Sequence, residues 1–290
     1  MHKLISICVI TYNSSKYIEE TLDSILHQDY PHIEVLIGDD CSTDNTPDIC
    51  RNWIEKNKNR FVNCKFVQTS ANCGIVGNYN NVWPLAEGDW IKFIAGDDRL
   101  KQDCISTFAN NTEDDIDIMC CLRENFRNDS DERWITGEEH LRHPDQLKQI
   151  IKTHHYGIIC GATLFVRKEY LEINSGFDER YVFAEDYPIC MKYLLQGKYI
   201  KQIEKPLVEY RNYASVSNSG NPIFLRSHTE AMIEFLPKAA LYCRLYHYWY
   251  HFKLFGLECR YADKHILKRL GLYFLKAFDI VGYKKYLTAN

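Results

Sequence analysis

The chain has 290 residues, 46% apolar and 26% charged, with a formal net charge of −4. That length suits one large α/β domain, or one domain with a small appendage, and the composition excludes a disordered or fibrous chain. No run of 18 apolar residues occurs, so no spanning helix is expected, and the acid excess without a basic stripe argues against a nucleic-acid partner.

Twelve cysteines are scattered along the chain with no C-x-x-C pair, which speaks for free thiols in a reducing compartment rather than a zinc site or a disulfide framework. The start, MHKLISICVITYN, lacks an apolar signal region with a small-residue cleavage site, so the expected location is cytoplasmic, either free or at the inner face of the cell membrane. The net charge hides an asymmetry. Residues 222–290 carry 11 Lys+Arg against 5 Asp+Glu, and residues 1–221 carry 24 against 34. The same C-terminal stretch holds 15 of the 39 aromatics. This composition shift sets an acidic domain over 1–221 apart from an aromatic and basic region over 222–290, which is either a second functional region or a helical appendage.

Residues 4–11 (LISICVIT) are continuously apolar and β-branched, the pattern of a strand buried on both faces of a parallel sheet. Tyr12 and Asn13 follow, then Ser14 and Ser15 as candidate caps for a helix to about Gln28, with Ile18, Leu22, Ile25 and Leu26 as its stripe. Residues 33–37 form a second strand ending in Gly38, Asp39 and Asp40. Thr43 or Asp44 then caps a helix to about residue 57. Residues 64–68 form a third strand, and the polar loop 70–80 (SANCGIVGNYN) leads into a short helix. The next segment, DWIKFIAGDD at 89–98, is a short apolar run that stops at two adjacent carboxylates, Asp97 and Asp98. Paired acids at a strand end suit a hard divalent cation, which takes one or two carboxylates plus phosphate oxygens. Gly-Asp-Asp is also ordinary turn chemistry.

Strand and helix alternate through this half, which predicts an open sheet with right-handed crossovers and ligands at the carboxyl ends of its strands. Tyr12-Asn13, Asp39-Asp40 and Asp97-Asp98 then share one sheet edge. No G-x-G-x-x-G follows the first strand, and no Walker sequence is present. Further on, residues 116–121 read as a strand, 123–145 as a polar loop or insertion, and 157–166 as a Gly-containing strand. Residues 185–195 read as a helix opening on Glu185 and Asp186, with Pro188 in its first turn, and 198–211 as two short strands.

Six segments, in order, carry a resemblance: SICVITYN, GDDCSTDNT, ANCGIVGNYN, WIKFIAGDD, GFDERYVFAEDYPICMKYLLQG and PLVEYR. Over about residues 3–220 the sequence resembles family 2 glycosyltransferases with the GT-A fold. That fold is an open, mixed α/β sheet flanked by helices, here with a C-terminal helical appendage. The resemblance implies inverting transfer of a sugar from a nucleotide-sugar, a UDP-sugar being the expected donor, to an acceptor hydroxyl in polysaccharide or glycan synthesis. It implies nucleotide contacts at Thr11, Asn13, Asp39, Asp40, Asn72, Gly74 and Asp97, a divalent metal (Mg²⁺ or Mn²⁺) at Asp97 and Asp98, and Asp186 as catalytic base with Glu185 as its nearest competitor. The acceptor is a glycan or a lipid-linked one. Two positions depart from the family pattern. Ala95 stands at the first acid of the metal motif, and Arg211-Asn212-Tyr213 replaces Arg-x-His, which leaves Arg211 or Tyr213 to meet the phosphates. These departures are the support for the alternative, a catalytically impaired scaffold that binds nucleotide-sugar. A nucleotidyltransferase is less favoured, because ITYNSSKY is not a Gly-rich, basic loop.

Beyond the shared segments, residues 242–286 combine seven aromatics over 242–255 with Ile266, Leu267, Leu270, Phe274 and Phe278 among lysines. Peripheral contact with an anionic membrane is one reading. A helical pair packed on the catalytic domain, or across a homodimer, is the other.

Overall fold

The computed structural model describes residues 3–153, 159–213 and 222–235. Strands β1 (Ile5–Thr11), β2 (Ile33–Asp39), β3 (Asn63–Gln68) and β4 (Trp90–Ala95) lie parallel in the order β3-β2-β1-β4. The sheet continues through β8 (Phe165–Arg167), antiparallel to β4, then β6 (Ile118–Phe126), β9 (Lys201–Arg211) and the two-residue β5 (Arg99–Leu100). Strand β7 (Arg133–Thr136) folds back on β6 as a hairpin.

Every residue of β1 and β2 is buried, because helices cover both faces. Alternate side chains therefore feed two cores. Ile5, Ile7 and Val9 pack with α1 (Ile18–Leu26), α2 (Thr46–Asn57) and α4 (Cys104–Asn110). Cys8 and Ile10 pack on the other side with α3 (Gly74–Val82), α5 (Gln146–Thr153), α6 (Lys168–Ile173), α7 (Asp186–Leu195) and α8 (Pro222–Phe235). Helix α8, on the far side of the compositional boundary at residue 221, thus packs against the catalytic half. Lys92, inside β4, is fully buried, and its ammonium donates to the carbonyls of Phe93 and Ala162, tying β4 to the segment that enters β8.

Several elements differ from the sequence expectation. Helix α1 starts at Ile18, not at the serines, because the Ser14 N–H donates to Thr46 Oγ1 (2.8 Å) and the Ser15 N–H to Asp44 Oδ2 (3.1 Å). Asp44 also accepts from the Thr46 N–H at the head of α2. Burial opposes ionisation of Asp44, but the hydrogen bonds from Thr46 and Ser15 prevail and hold it at about 2. The polar segment 123–145 is largely ordered: β6 runs on to Phe126, and β7 lies within it. In 157–166 a 3-10 turn occupies Gly161–Thr163, and the strand is confined to Phe165–Arg167. Residues 198–211 form one strand, not two. Its register against β6 slips around Pro206, which has no N–H to give a ladder. Residues 242–286, with the membrane and homodimer readings placed on them, lie outside the described residues. Among the described residues no helix is long and apolar enough to cross a membrane.

Candidate active site

Strand β1 pairs with β2 on one side and β4 on the other, and the chain winds outward to β3 before crossing back to β4. That reversal opens a crevice at the carboxyl ends of β1 and β4, the usual ligand position in an open α/β sheet. The register sets Thr11 beside Asp39 and Ile10 beside Ala95. The three polar clusters therefore share one edge.

At the β2 end, Asp39 is fully buried. Its carboxylate accepts from the Ser42 N–H (2.9 Å), the Ser42 hydroxyl (2.5 Å) and Gln68 Nε2 (2.9 Å), so its orientation is set by three donors. Asp40 turns the other way. Its oxygens accept from the backbone N–H of Cys73 (2.8 Å) and Gly74 (2.9 Å), which makes it an acid cap on α3. Gly74 has φ +78° and faces Val182, where a Cβ would stand 2.3 Å from Val182 Cγ1. Asn72 is exposed and leans on the Asp40 carbonyl (3.5 Å). Asn13, in the left-handed region at φ 49°, accepts from the Thr43 N–H (2.8 Å) and gives its own N–H to Ser42 Oγ (2.8 Å). Thr11 Oγ1 is buried beside Gly96 with no hydrogen-bond partner.

At the β4 end, Asp98 Oδ1 accepts from the Arg211 N–H (2.8 Å), and the Asp98 carbonyl accepts from Thr21 Oγ1 (2.7 Å). Asp97 Oδ2 accepts from the Tyr213 phenol (2.8 Å). Arg211, expected to meet a ligand, is buried under this loop. Its guanidinium donates to the Asp97 carbonyl (2.7 Å), Glu20 Oε2 (2.7 Å) and Asn128 Oδ1, and lies 4.2 Å from the Tyr17 ring centre and 4.7 Å from that of Phe126. Its position is that of a clamp on the acid pair. Burial, then the Asp97 charge, pushes Asp98 well above the usual carboxylate range. Burial raises Asp97 too, against the Tyr213 hydrogen bond and Arg211. Adjacent carboxylates, one buried and one half-buried, are a donor set that a hard divalent cation would relieve. Among the described residues no group of three His, Cys, Asp or Glu side chains converges, so a cation here would draw its other ligands from phosphate and water.

The second acid pair opens α7. Glu185 occupies the N-cap position, and the Asp186 carboxylate accepts from the Tyr187 N–H (2.6 Å). Glu185 lies against Gly161, where a Cβ would stand 2.3 Å from its Oε1. Gly161 belongs to the turn leading into β8, and β8 runs antiparallel to β4, so this turn sits at the Asp97 end of β4. Glu185, lying against this turn, therefore stands at the same edge of the sheet as the Asp97–Asp98 pair. Burial and then the Asp186 charge push Glu185 up to about 8. Burial also raises Asp186, opposed chiefly by His228 on α8 and the Tyr187 N–H, with a smaller pull from Arg123 on β6.

The sequence reading named the acids but not what holds them. Gln68 behind Asp39 and Glu20 and Asn128 behind Arg211 come from other segments, while Ser42 lies three residues after the acid it holds.

Residues 6–173 match the family model described as Glycosyl transferase family 2, and residues 90–262 match that of Glycosyl transferase family group 2. The glycosyltransferase EpsJ of Bacillus subtilis is 26% identical over 220 residues, covering 73% of this chain and 62% of EpsJ. Poly(ribitol-phosphate) beta-N-acetylglucosaminyltransferase TarS of Staphylococcus aureus is 40% identical over 107 residues, 36% of this chain and 18% of TarS. The chain thus spans less than two thirds of either relative. Among solved structures, TarS 1-349 in complex with UDP-GlcNAc aligns with TM-score 0.61 and 25% identity over 80% of this chain and 66% of that one. The mannosyltransferase PcManGT of Pyrobaculum calidifontis, in complex with GDP-Man and Mn²⁺, aligns with TM-score 0.66 and 16% identity over 99% of this chain and 84% of that one, a likeness of fold. The fold is GT-A, with helices on both faces of a mixed sheet.

Proposed function

The chain belongs to glycosyl transferase family 2, and on that premise we propose that it transfers a sugar from a UDP-sugar to an acceptor hydroxyl with inversion, in polysaccharide or glycan synthesis. The observation that carries this reading is that two carboxylate pairs stand at one edge of the sheet, Asp97–Asp98 after β4 and Glu185–Asp186 with Glu185 against the Gly161 turn at the same end of β4. Each pair suits one half of a single displacement. The acceptor oxygen bonds to the anomeric carbon as the bond to the diphosphate oxygen breaks and its electron pair leaves with the nucleotide. The acceptor proton needs a carboxylate within hydrogen-bond reach, and Asp186 takes it. Glu185, raised to about 8, keeps its proton at neutral pH and stays beside Asp186 as a neutral acid.

Asp97 and Asp98 would hold Mg²⁺ or Mn²⁺, which when bound neutralises the departing diphosphate as a Lewis acid. Arg211 and Tyr213 set the positions of these carboxylates from behind and beside. Asp39, fixed by Ser42 and Gln68, offers its remaining lone pairs to the base of the nucleotide. Thr11, with its unpartnered hydroxyl, and Asn13 line the path between base and phosphates. Asp40 and Gly74 shape the α3 end of that path, and Asn72 borders its mouth. The free thiols, all but Cys73 buried or half-buried among the described residues, fit a reducing cytoplasm.

The test is a screen of UDP-, GDP-, dTDP- and CMP-sugars with Mn²⁺ or EDTA, reading thermal shift and nucleotide release. Metal-dependent stabilisation and turnover by one UDP-sugar is expected. Asp186→Asn should lower turnover by about 10²–10⁴-fold while donor binding is kept. Near-normal turnover by that variant would sink the base assignment.

A further inference from the structure

Glu185 and Asp186 are delivered by residues 176–184, a segment between α6 and α7 that belongs to no strand or helix. Helix α3 holds the main chain of this segment at two places. Phe177 is buried, and its N–H and C=O both bond to one side chain. Asn80 Oδ1 accepts from the Phe177 N–H (3.0 Å), and Asn80 Nδ2 donates to the Phe177 carbonyl (2.8 Å). The amide thus does for Phe177 what a neighbouring strand would do. Asn80 Oδ1 also accepts from Trp83 Nε1 (3.1 Å), and Nδ2 also donates to Glu179 Oε1 (3.1 Å). Gly176 permits the approach: it has φ +76°, and a Cβ there would stand 2.7 Å from Asn80 Oδ1. The Phe177 ring packs on Tyr79 of α3 and Phe93 of β4 (ring centres 5.0 and 5.3 Å away). The second hold is at Val182, three residues before Glu185. Its carbonyl accepts from the Val76 N–H (3.2 Å), and its side chain covers Gly74.

The first turn of a helix has N–H groups that no carbonyl of the helix can take. At the start of α3 the N–H groups of Cys73 and Gly74 go to Asp40, and that of Val76 goes to Val182. One helix end is therefore shared between the edge proposed for the nucleotide and the segment that carries the second acid pair. Helix α8 meets the same segment through side chains, Glu234 accepting from Arg180 and Tyr181, whereas α3 grips main chain. We propose that α3 is a bracket that sets the Glu185–Asp186 pair at a fixed place relative to the nucleotide edge, with Asn80 as its positioning residue. The inference deepens the reading of Asp186 as the base and rests on it. A base works only within hydrogen-bond reach of the acceptor oxygen, and a misplacement of about 1 Å costs about 10²-fold in rate. The segment has no ladder of its own to hold that tolerance. Asn80 supplies one at its start, and Val182 carries the register of α3 to within three residues of Glu185.

The experiment compares wild type, Asn80→Leu, Asn80→Asp, Val182→Ala and Asp186→Asn in the full chain. Each is measured for thermal unfolding, for UDP affinity, and for kcat per UDP-binding site well below its melting temperature. Asn80→Leu removes the bonds to Phe177, Trp83 and Glu179 in a side chain of like shape. It should melt below wild type, bind UDP within about threefold of wild type, and lose kcat by about tenfold or more. Asn80→Asp keeps the acceptor roles of Oδ1 but loses both donations, and should show the same split between affinity and kcat. An amide that merely satisfies the buried main chain of Phe177 would lower the melting temperature and leave kcat per site alone. A folded Asn80→Leu with the wild-type kcat therefore overturns the proposal, as does a loss confined to UDP affinity. If Asn80→Leu does not fold, Asn80→Asp decides by the same criterion, and Val182→Ala decides if neither folds. Turnover by Asp186→Asn would strike the base reading itself, and a wild type that binds no UDP would strike the nucleotide reading. A dead Asp186→Asn beside a normal Asn80→Leu would strike only the bracket.

Discussion

At the scale of single residues, burial decides what the carboxylates do. Glu185 lies against Gly161 and beside Asp186, and its pKa of about 8 makes it a neutral acid at pH 7. Glu185→Gln should therefore mimic the working form, with kcat within about tenfold of wild type, whereas Asp186→Asn should not. The same shift predicts a stability effect. A carboxyl raised on folding favours the folded state fully below its unfolded value, near 4.3, and loses that advantage as pH rises to its folded value. Glu185→Gln should thus match wild type in melting temperature near pH 4, gain on it progressively up to about pH 8, and gain no more above that. A constant difference across this window would show that the site does not hold Glu185 protonated. Gly74 gives a second prediction. With φ +78° and Val182 Cγ1 2.3 Å from a would-be Cβ, Gly74→Ala should cost about 1–3 kcal/mol in a denaturant titration. Donor binding should weaken with it, since the turn also presents its N–H to Asp40.

At the scale of elements, β9 reaches back to hold the loop after β4. Arg211 joins them through its N–H to Asp98, its guanidinium to the Asp97 carbonyl, and Glu20 on α1. Because Glu20 is half exposed, the pair itself is worth little. The part-buried contacts of the buried guanidinium to Asp97 and Asn128 carry the cost, so Arg211→Met should destabilise the fold by about 1–2 kcal/mol and weaken Mn²⁺ binding without touching Asp186. A variant that melts normally and binds Mn²⁺ normally would remove the clamp. Arg211 also marks where sequence reading reached its limit. The four parallel strands were legible because strands covered on both faces read as continuous apolar runs, as in LISICVIT and WIKFIA. The second half was legible only in part: the helix over 185–195 was read, but not the extent of β6 and β9. Strand β6 continues through Arg123 and Glu124, and β9 passes through Glu209. These polar residues are satisfied across strands, Lys101 and Arg133 bridging Glu124 and Glu209, and Glu138 meeting Arg123. A window of sequence shows such charges as loop, because their partners lie in other segments. The acids of the site were visible as strand-end and helix-start residues. Whether an arginine would face a ligand or the protein depended on Glu20 and Asn128, 191 and 83 residues away.

At the scale of the whole molecule, the stretch over residues 1–221 is acidic, yet its proposed substrate is an anionic nucleotide. An acidic surface repels such a ligand unless a cation sits at the point of binding. The fold concentrates the conflict at one edge, where the half-buried Asp97 and the buried Asp98 are adjacent and both raised. Protons and a divalent metal compete for this pair. As pH rises through the folded values of the two acids, their burial becomes a growing cost to the folded state, and a metal that binds the ionised pair relieves it. Saturating Mn²⁺ should therefore raise the melting temperature little at pH 5 and by several degrees at pH 8. The shift should vanish in Asp98→Asn, which should itself melt higher than metal-free wild type at pH 8. Thermal unfolding at both pH values, with Mn²⁺ and with EDTA, reads all of this without any substrate. A metal shift of equal size at both pH values, or one that survives in Asp98→Asn, would place the cation elsewhere.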